Sequence, residues 1–124
     1  MPISALEGVH LDQIFTHIVE KLPVHPPFFD KDELTDKPER FFASEIIREK
    51  IFLNYKKEIP YSCEVVVTSF KEEETIIRIA SEIYVERVSQ RAILIGHKGE
   101  SIKKVGIQAR AELEKFFGKH VFLE

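Results

Sequence analysis

The sequence predicts an α+β fold in which a small sheet packs on helices, preceded by a short helical segment. Two consecutive runs, 62–69 and 75–85, alternate apolar and polar residues as strands do. Three longer runs, 9–22, 36–57 and 100–117, repeat apolar residues at helical spacing. With 124 residues, 44% of them hydrophobic, the chain can bury one modest core.

The first helix is expected over 9–22, and Pro23 ends it. Pro26 and Pro27 disfavour helix in the residues that precede them, so an extended linker should follow. The boundaries predicted from these features are 1–24 for the leading segment, 25–35 for the linker and 36–124 for the main domain.

The main domain should begin with a helix over 36–57. Asp36 can cap this helix, and Pro38 and Glu39 suit its first turn. Lys56 and Lys57 suit its C-terminal end, where cations interact favourably with the helix dipole. Its apolar face is predicted to consist of Phe42, Ala43, Ile46, Ile47 and Ile51.

A hairpin is expected next, formed by the alternating runs 62–69 and 75–85. The acidic connection Lys71–Glu74 is interpreted as a solvated loop tip. Cys63, the only cysteine, falls in an alternating run and is expected to be a buried strand thiol without a chemical role.

Two helices and a closing strand complete the predicted order of helix, strand, strand, helix, helix, strand. The short helix Ser89–Ile95 should end at Gly96, and the longer helix Glu100–Phe117 should end at Gly118. The strand is 120–123. The predicted core face of the longer helix consists of Ile102, Val105, Ala109, Leu113 and Phe116.

Charge is unevenly distributed along the chain. The net charge is −3, but residues 86–119 hold eight basic and four acidic side chains, whereas residues 1–85 carry a net −6. A basic segment on an acidic body favours phosphate binding at one place and discourages it elsewhere.

The basic segment contains Gly96-His97-Lys98-Gly99, a GXXG loop between two helices. The KH class of single-stranded RNA-binding domains uses such a loop to clamp about four backbone nucleotides. The glycines allow a tight turn and close approach of phosphate, and the N-terminus of the following helix favours anions. The predicted RNA-binding residues are Arg91, Ile93, Ile95, Gly96, His97, Lys98, Gly99, Ser101, Lys103 and Lys104. The same four loop residues would also suit a simple tight turn with solvated Lys98 and His97.

Catalytic and metal-binding roles are not predicted. No Ser, Cys or Asp stands in a recognisable nucleophile context, and GxxxxGK[ST] is absent. The histidines outside the loop lack partners at metal-ligand spacing. Without a signal peptide pattern or a run of about 20 apolar residues, the chain is expected to be soluble and cytoplasmic.

Three stretches resemble the C-terminal part of the Era family of bacterial GTPases. LTDKPERFFASEIIREK (Leu34 to Lys50) is similar to the family's signature at the start of its KH-like domain, and Ile83 to Glu124 to its GXXG region and closing strand. Pro2 to Leu6 resembles the last guanine-recognition segment of the GTPase domain, which the helix at 9–22 would follow.

The resemblance implies a C-terminal fragment without the P-loop and most of the GTPase domain, followed by a type II KH domain (αββααβ). It implies binding to the 3′ end of small-subunit (16S) ribosomal RNA during ribosome assembly, with the small ribosomal subunit as partner and no DNA. GTP and Mg²⁺ would belong to the parent protein, whose peripheral association with the inner membrane the resemblance permits. Ser4, Ala5 and Leu6 would be a nucleotide-binding remnant.

Within this resemblance, the loop residues carried over are Gly96, His97, Lys98 and Gly99, followed by Ile95, Lys103 and Lys104. Many family members have Gly-Lys-Gly-Gly at the loop, so the lysine is displaced by one position here. The alternative is a regulatory or protein-interaction module of a GTPase without direct RNA contact, for which helix 36–57 would offer the surface.

Overall fold

The computed structural model describes residues 1–28, 35 and 37–124. It separates into two compact units, Met1–Asp36 and Lys37–Glu124. Most of the predicted linker 25–35, and the predicted helix cap Asp36, lie outside the described residues.

Residues 1–28 of the first unit form a turn followed by one helix, α1 (Leu11–Lys21). Ser4 and Val9 form an antiparallel bridge in which each backbone N–H donates to the other's carbonyl, at 3.3 and 3.0 Å. Val9 therefore precedes the helix, which is slightly shorter than the predicted 9–22.

The second unit has the predicted αββααβ order, so the predicted fold class is confirmed. Its elements are α2 (Glu39–Asn54), β1 (Cys63–Glu72), β2 (Ile76–Val85), α3 (Val88–Ile95), α4 (Glu100–Phe117) and β3 (His120–Leu123), with a short 3₁₀ turn at Ile59–Tyr61. The sheet order is β1-β2-β3, in which β2 pairs antiparallel with β1 and parallel with β3.

The core lies between one face of the sheet and the helices α2 and α4. Alternate residues of β2 and every third or fourth residue of α2 and α4 meet there, as the strand and helix periods require. The most buried large side chains are Ile51, Ile77, Ile79, Leu113 and Val105. The predicted apolar face of α2 is confirmed at four of its five positions, since Ala43, Ile47 and Ile51 are buried and Ile46 packs against them. The fifth, Phe42, is half-buried and lies outside this core cluster.

The prediction that α2 extends to Lys56 and Lys57 is wrong. The helix ends at Asn54, and Tyr55 is extended (φ −112°, ψ 159°). Its ring packs against the core, and its hydroxyl donates a hydrogen bond to a carbonyl of α3. These long-range contacts of Tyr55 stabilise the fold more than two lysines at the C-terminal end of a longer helix would. Pro38 is the N-cap of the helix and not a residue of its first turn.

The predicted core face of α4 is wrong at its last position. Phe117 packs against the core, while Phe116 is 54% exposed and stacks on Phe42 with ring centroids 5.4 Å apart. Positions three and four residues after Leu113 flank the same helical face. Periodicity alone therefore does not decide between the two phenylalanines.

The hairpin differs from its prediction at two places. A register shift between Val67 and Ser69 turns Phe70 towards the core, against which it packs. In the acidic connection, Lys71 and Glu72 belong to β1, and Glu72 pairs with Lys119. Cys63 is half-buried at the start of β1 and packs against the core.

Among the residues of the described ranges, no helix combines the length and the apolar character needed to span a bilayer.

Candidate nucleic-acid interface

The GXXG loop joins α3 to α4 through three residues with positive φ. Gly96 has φ 74° and ψ −177°, a region that only glycine adopts readily. Lys98 (φ 50°) and Gly99 (φ 79°) are left-handed. The Gly99 N–H donates to the Gly96 carbonyl at 3.3 Å, closing a single turn. Gly96 is thus required by backbone conformation, whereas Gly99 and Lys98 hold a left-handed conformation that favours glycine.

Gly96 is also required by space. A Cβ at this position would lie 2.1 Å from Ser101 Oγ and 2.6 Å from Ser101 Cβ, too close for any side chain. No such crowding exists at Gly99, where a Cβ would meet nothing within 4 Å. The predicted RNA-binding residue Ser101 therefore packs against the loop backbone from the first turn of α4.

The helix before the loop is fixed by hydrogen bonds at both ends. At its start, the Arg87 N–H donates to Oε1 of buried Gln90 at 3.0 Å. At its end, the Tyr55 hydroxyl donates to the Leu94 carbonyl at 2.5 Å. Burial, and secondarily the Cys63 thiol, raises the pKa of Tyr55, so this hydroxyl keeps its proton at neutral pH. The loop thus starts from a fixed position.

The helix after the loop supplies the anion-binding end. α4 has 18 residues, and the backbone N–H groups of its first turn have no intrahelical partners. These N–H groups point out of the end of the helix that follows Gly99. The positive end of the helix dipole therefore lies beside the loop. The exposed Lys98 adds a positive charge at the same place.

An apolar groove of about 430 Å³ lies beside the loop. Its walls come from α3, α4 and the two strands that pair in parallel. The lining residues are Ile47 of α2, Ser81 and Ile83 of β2, Arg91, Leu94 and Ile95 of α3, Ile102, Val105, Gly106 and Ala109 of α4, and Leu123 and Glu124 at the end of the chain. The groove is open to solvent, and Ile95, which directly precedes the loop, is 42% exposed.

The structure brings only some of the predicted RNA-binding residues to this groove. Arg91 and Ile95 line it, whereas Ile93 is 53% exposed without lining it. Lys103 and Lys104 lie on another face of α4, together with Glu100 and Ile107. Within the described ranges, no carboxylate is in ion-pair distance of either lysine. Basic residues therefore lie on both helices that flank the loop, and most of the residues that line the groove are apolar.

Several groove residues were not predicted as site residues. Ser81 is held by the chain end, because its N–H donates to the Glu124 carbonyl at 2.8 Å and its hydroxyl to the same oxygen at 3.1 Å. Gly106 lines the groove from the middle of α4. The sequence contained one signal for Gly106: a glycine inside a helical pattern is unusual, because glycine weakens a helix interior.

The predicted nucleotide-binding remnant, Ser4, Ala5 and Leu6, lies in the turn of the first unit. Ser4 Oγ accepts the Glu7 N–H at 3.2 Å, and Leu6 is 92% exposed. In the part of the chain that the structure describes, no three His, Cys, Asp or Glu side chains form a group that could hold a metal ion.

Comparison with known families agrees with this geometry. A family model described as a KH domain matches residues 58–124, which contain both strands of the hairpin, the loop, α4 and β3.

The chain is similar along its full length to curated GTPases. GTPase Era of Syntrophus aciditrophicus (strain SB) is 49% identical over 126 residues, covering 100% of this chain and 41% of that protein. A chloroplastic GTPase ERA-like protein of Oryza sativa subsp. japonica is 46% identical over 125 residues, covering 100% of this chain and 30% of that protein. The chain spans less than half the length of these relatives.

Two solved structures have the same fold. Aquifex aeolicus Era bound to GDP.AlF4- aligns with a TM-score of 0.92 at 39% identity, covering 100% of this chain and 42% of that one. Era in complex with MgGDPNP and nucleotides 1506–1542 of 16S ribosomal RNA aligns with a TM-score of 0.91, also at 39% identity and with the same coverage.

Proposed function

This chain belongs to the KH-domain family and corresponds to the C-terminal portion of the Era GTPases, and from this we propose that it binds single-stranded RNA. The chain acts by binding, without catalysis of its own. Its GXXG loop holds the backbone of about four nucleotides, and the apolar groove receives their bases.

The observation that carries this proposal is the position of the groove relative to the loop. Gly99 stands at the N-terminus of α4, where the positive end of the helix dipole and the exposed Lys98 favour a phosphate. Ile95, the last residue of α3 before the loop, lines the groove. A strand whose phosphates contact the loop can therefore place its bases against apolar walls.

The proposed ligand is the 3′ end of 16S ribosomal RNA, and the proposed partner is the small ribosomal subunit during its assembly. A solved Era complex contains nucleotides 1506–1542 of this RNA, and the chain aligns with that Era along its full length. The chain has no GxxxxGK[ST] loop, so GTP and Mg²⁺ would bind elsewhere in a parent GTPase. The proposed location is the cytoplasm. Peripheral contact with the inner membrane would be a property of the parent protein.

RNA binding by the chain is expected to fall with rising salt, because each phosphate contact releases counterions. The test is titration of single-stranded RNA oligonucleotides, including the 1506–1542 segment, at several salt concentrations. For Lys103→Ala/Lys104→Ala, the slope of log K against log salt, which is negative, should decrease in magnitude by about 0.7 for each lysine that contacts phosphate.

Lys71→Ala, on β1 away from the loop, is the matched control and should leave that slope unchanged. Equal affinity for single-stranded RNA and duplex DNA, or no binding at low salt, would contradict the proposal.

A second prediction concerns Lys98, which stands one position later in the loop than the lysine of many family members. Lys98→Gly should raise the free energy of unfolding by about 0.5–1 kcal/mol, because glycine adopts φ 50° without strain. The same change should weaken RNA binding by removing a charge. His97→Lys in addition should restore binding while the stability gain remains. Thermal unfolding and RNA titration of the single and double variants measure both effects, and a less stable Lys98→Gly would refute this account.

A protein-interaction module is the second candidate. It is favoured by three exposed apolar side chains on and after α2: Phe52 (49% exposed), Leu53 (68%) and Tyr61 (77%). Such a module would show no preference for single-stranded RNA, so the same titration separates the two candidates.

A further inference from the structure

Gly106 is the position in the groove that the fold itself does not explain. It lies seven residues into α4, between Val105, which is buried, and Ile107, which is exposed. Its φ is not positive, so ordinary helical backbone passes through it. A Cβ built on Gly106 would meet no atom within 4 Å. Neither backbone conformation nor packing requires glycine here.

Glycine inside a helix is unfavourable, because it loses more backbone entropy on folding than alanine does. Alanine at this position would fit in the empty protein and would strengthen α4. Ala109, one turn further along the same groove wall, shows that this helix face accommodates a methyl group. Something other than folding must therefore account for the absence of a Cβ at the groove surface.

We propose that Gly106 is a base-contacting residue of the RNA site, where a base lies flat against the backbone of α4. This inference rests on the proposed RNA-binding function and adds to it the place of one base. Without a Cβ, the aromatic face of a base can reach van der Waals distance from the helix. Ile102, one turn nearer the loop, and Ile95 on the facing helix would border the same base.

The groove chemistry fits a base and not a phosphate at this position. The α4 residues that line the groove are apolar, whereas the lysines of this helix near the loop, Lys103 and Lys104, lie on another face. A base of the nucleotides held at the loop can therefore reach Gly106, which lies about 10 Å along α4 from Gly99. Contact through an apolar surface should contribute to affinity without contributing to its salt dependence.

The test compares Gly106→Ala and Gly106→Leu with the unchanged chain, using RNA of nucleotides 1506–1542 as the probe. Gly106→Ala should raise the melting temperature by roughly 4 °C, since it improves the helix. It should at the same time weaken RNA binding about tenfold, because one methyl group enters the space of the base. Gly106→Leu should weaken binding by about 100-fold or more. The salt slope should stay unchanged in both variants.

Ala111→Gly, at an exposed position of the same helix, is the matched control. It should lower the melting temperature by a similar amount and leave RNA affinity unchanged. Gly106→Ala that binds RNA as tightly as the unchanged chain would overturn the inference while leaving the RNA-binding proposal intact. A lower melting temperature of Gly106→Ala would also overturn it. If the unchanged chain bound no RNA, the proposed function would fail first.

Discussion

Replacing Gly99 with Asp is expected to abolish RNA binding while the domain stays folded. A Cβ at Gly99 meets nothing within 4 Å, so the new side chain causes no clash. Asp tolerates φ 79° better than most residues, and its strain should cost about 1 kcal/mol of folding stability. The carboxylate, however, would stand where the helix N-terminus and Lys98 are proposed to receive phosphate. Loss of more than about 100-fold in affinity is expected, because like charges repel at short range.

Gly118→Asp is the matched control for this substitution. Gly118 also has positive φ (67°), also has open space around a Cβ, and caps the opposite end of α4. The added charge and the backbone strain are therefore similar, but the position is about 27 Å from the loop along an 18-residue helix. Thermal unfolding should show the larger loss for Gly118→Asp, because a carboxylate opposes the helix dipole at the C-terminus and complements it at the N-terminus. RNA titration should show a loss only for Gly99→Asp. Equal RNA affinity of the two variants would exclude the loop as the phosphate site.

The sequence predicted those parts of the fold that depend on local patterns. The bounds of α4, the C-cap at Gly118 and the hairpin follow from periodicity and glycine positions, which act within a few residues. The end of α2 was mispredicted because Tyr55 leaves the helix to reach Leu94, 39 residues away in sequence. Phe116 was mispredicted as core because only the surrounding packing selects between it and Phe117.

For the candidate site too, the features that depend on neighbouring residues were predictable and those that depend on long-range packing were not. The loop was predictable because its glycines, its lysine and its flanking helices are consecutive in sequence. The groove was not, because Ser81, Gly106 and Leu123 come together only when β2, α4 and β3 pack. Ile102 was assigned to the core from its spacing, and it does pack against it. That same spacing does not reveal that it also lines the groove.

Gly96→Ala is expected to impair both folding and RNA binding, in contrast to Gly99→Asp. Alanine at φ 74° and ψ −177° is strained, and its methyl group would lie 2.1 Å from Ser101 Oγ. Strain and overpacking each cost about 1–3 kcal/mol, so a loss of about 3 kcal/mol in the free energy of unfolding is expected. RNA affinity should fall because the loop or the first turn of α4 must move to admit the methyl group.

The steric part of this loss can be isolated by a double-mutant cycle with Ser101→Gly. Removing the Ser101 side chain eliminates the contacts at 2.1 and 2.6 Å and leaves only its backbone nitrogen, 3.1 Å from the new methyl group. Ser101→Gly alone should cost about 0.5–1 kcal/mol, as glycine does in a helix. In the Gly96→Ala background it should instead recover about 1–2 kcal/mol, a coupling that independent sites do not have. Denaturant unfolding of the four proteins measures this coupling. Strictly additive losses would mean that Ser101 does not determine the need for glycine at position 96, and that backbone conformation alone does.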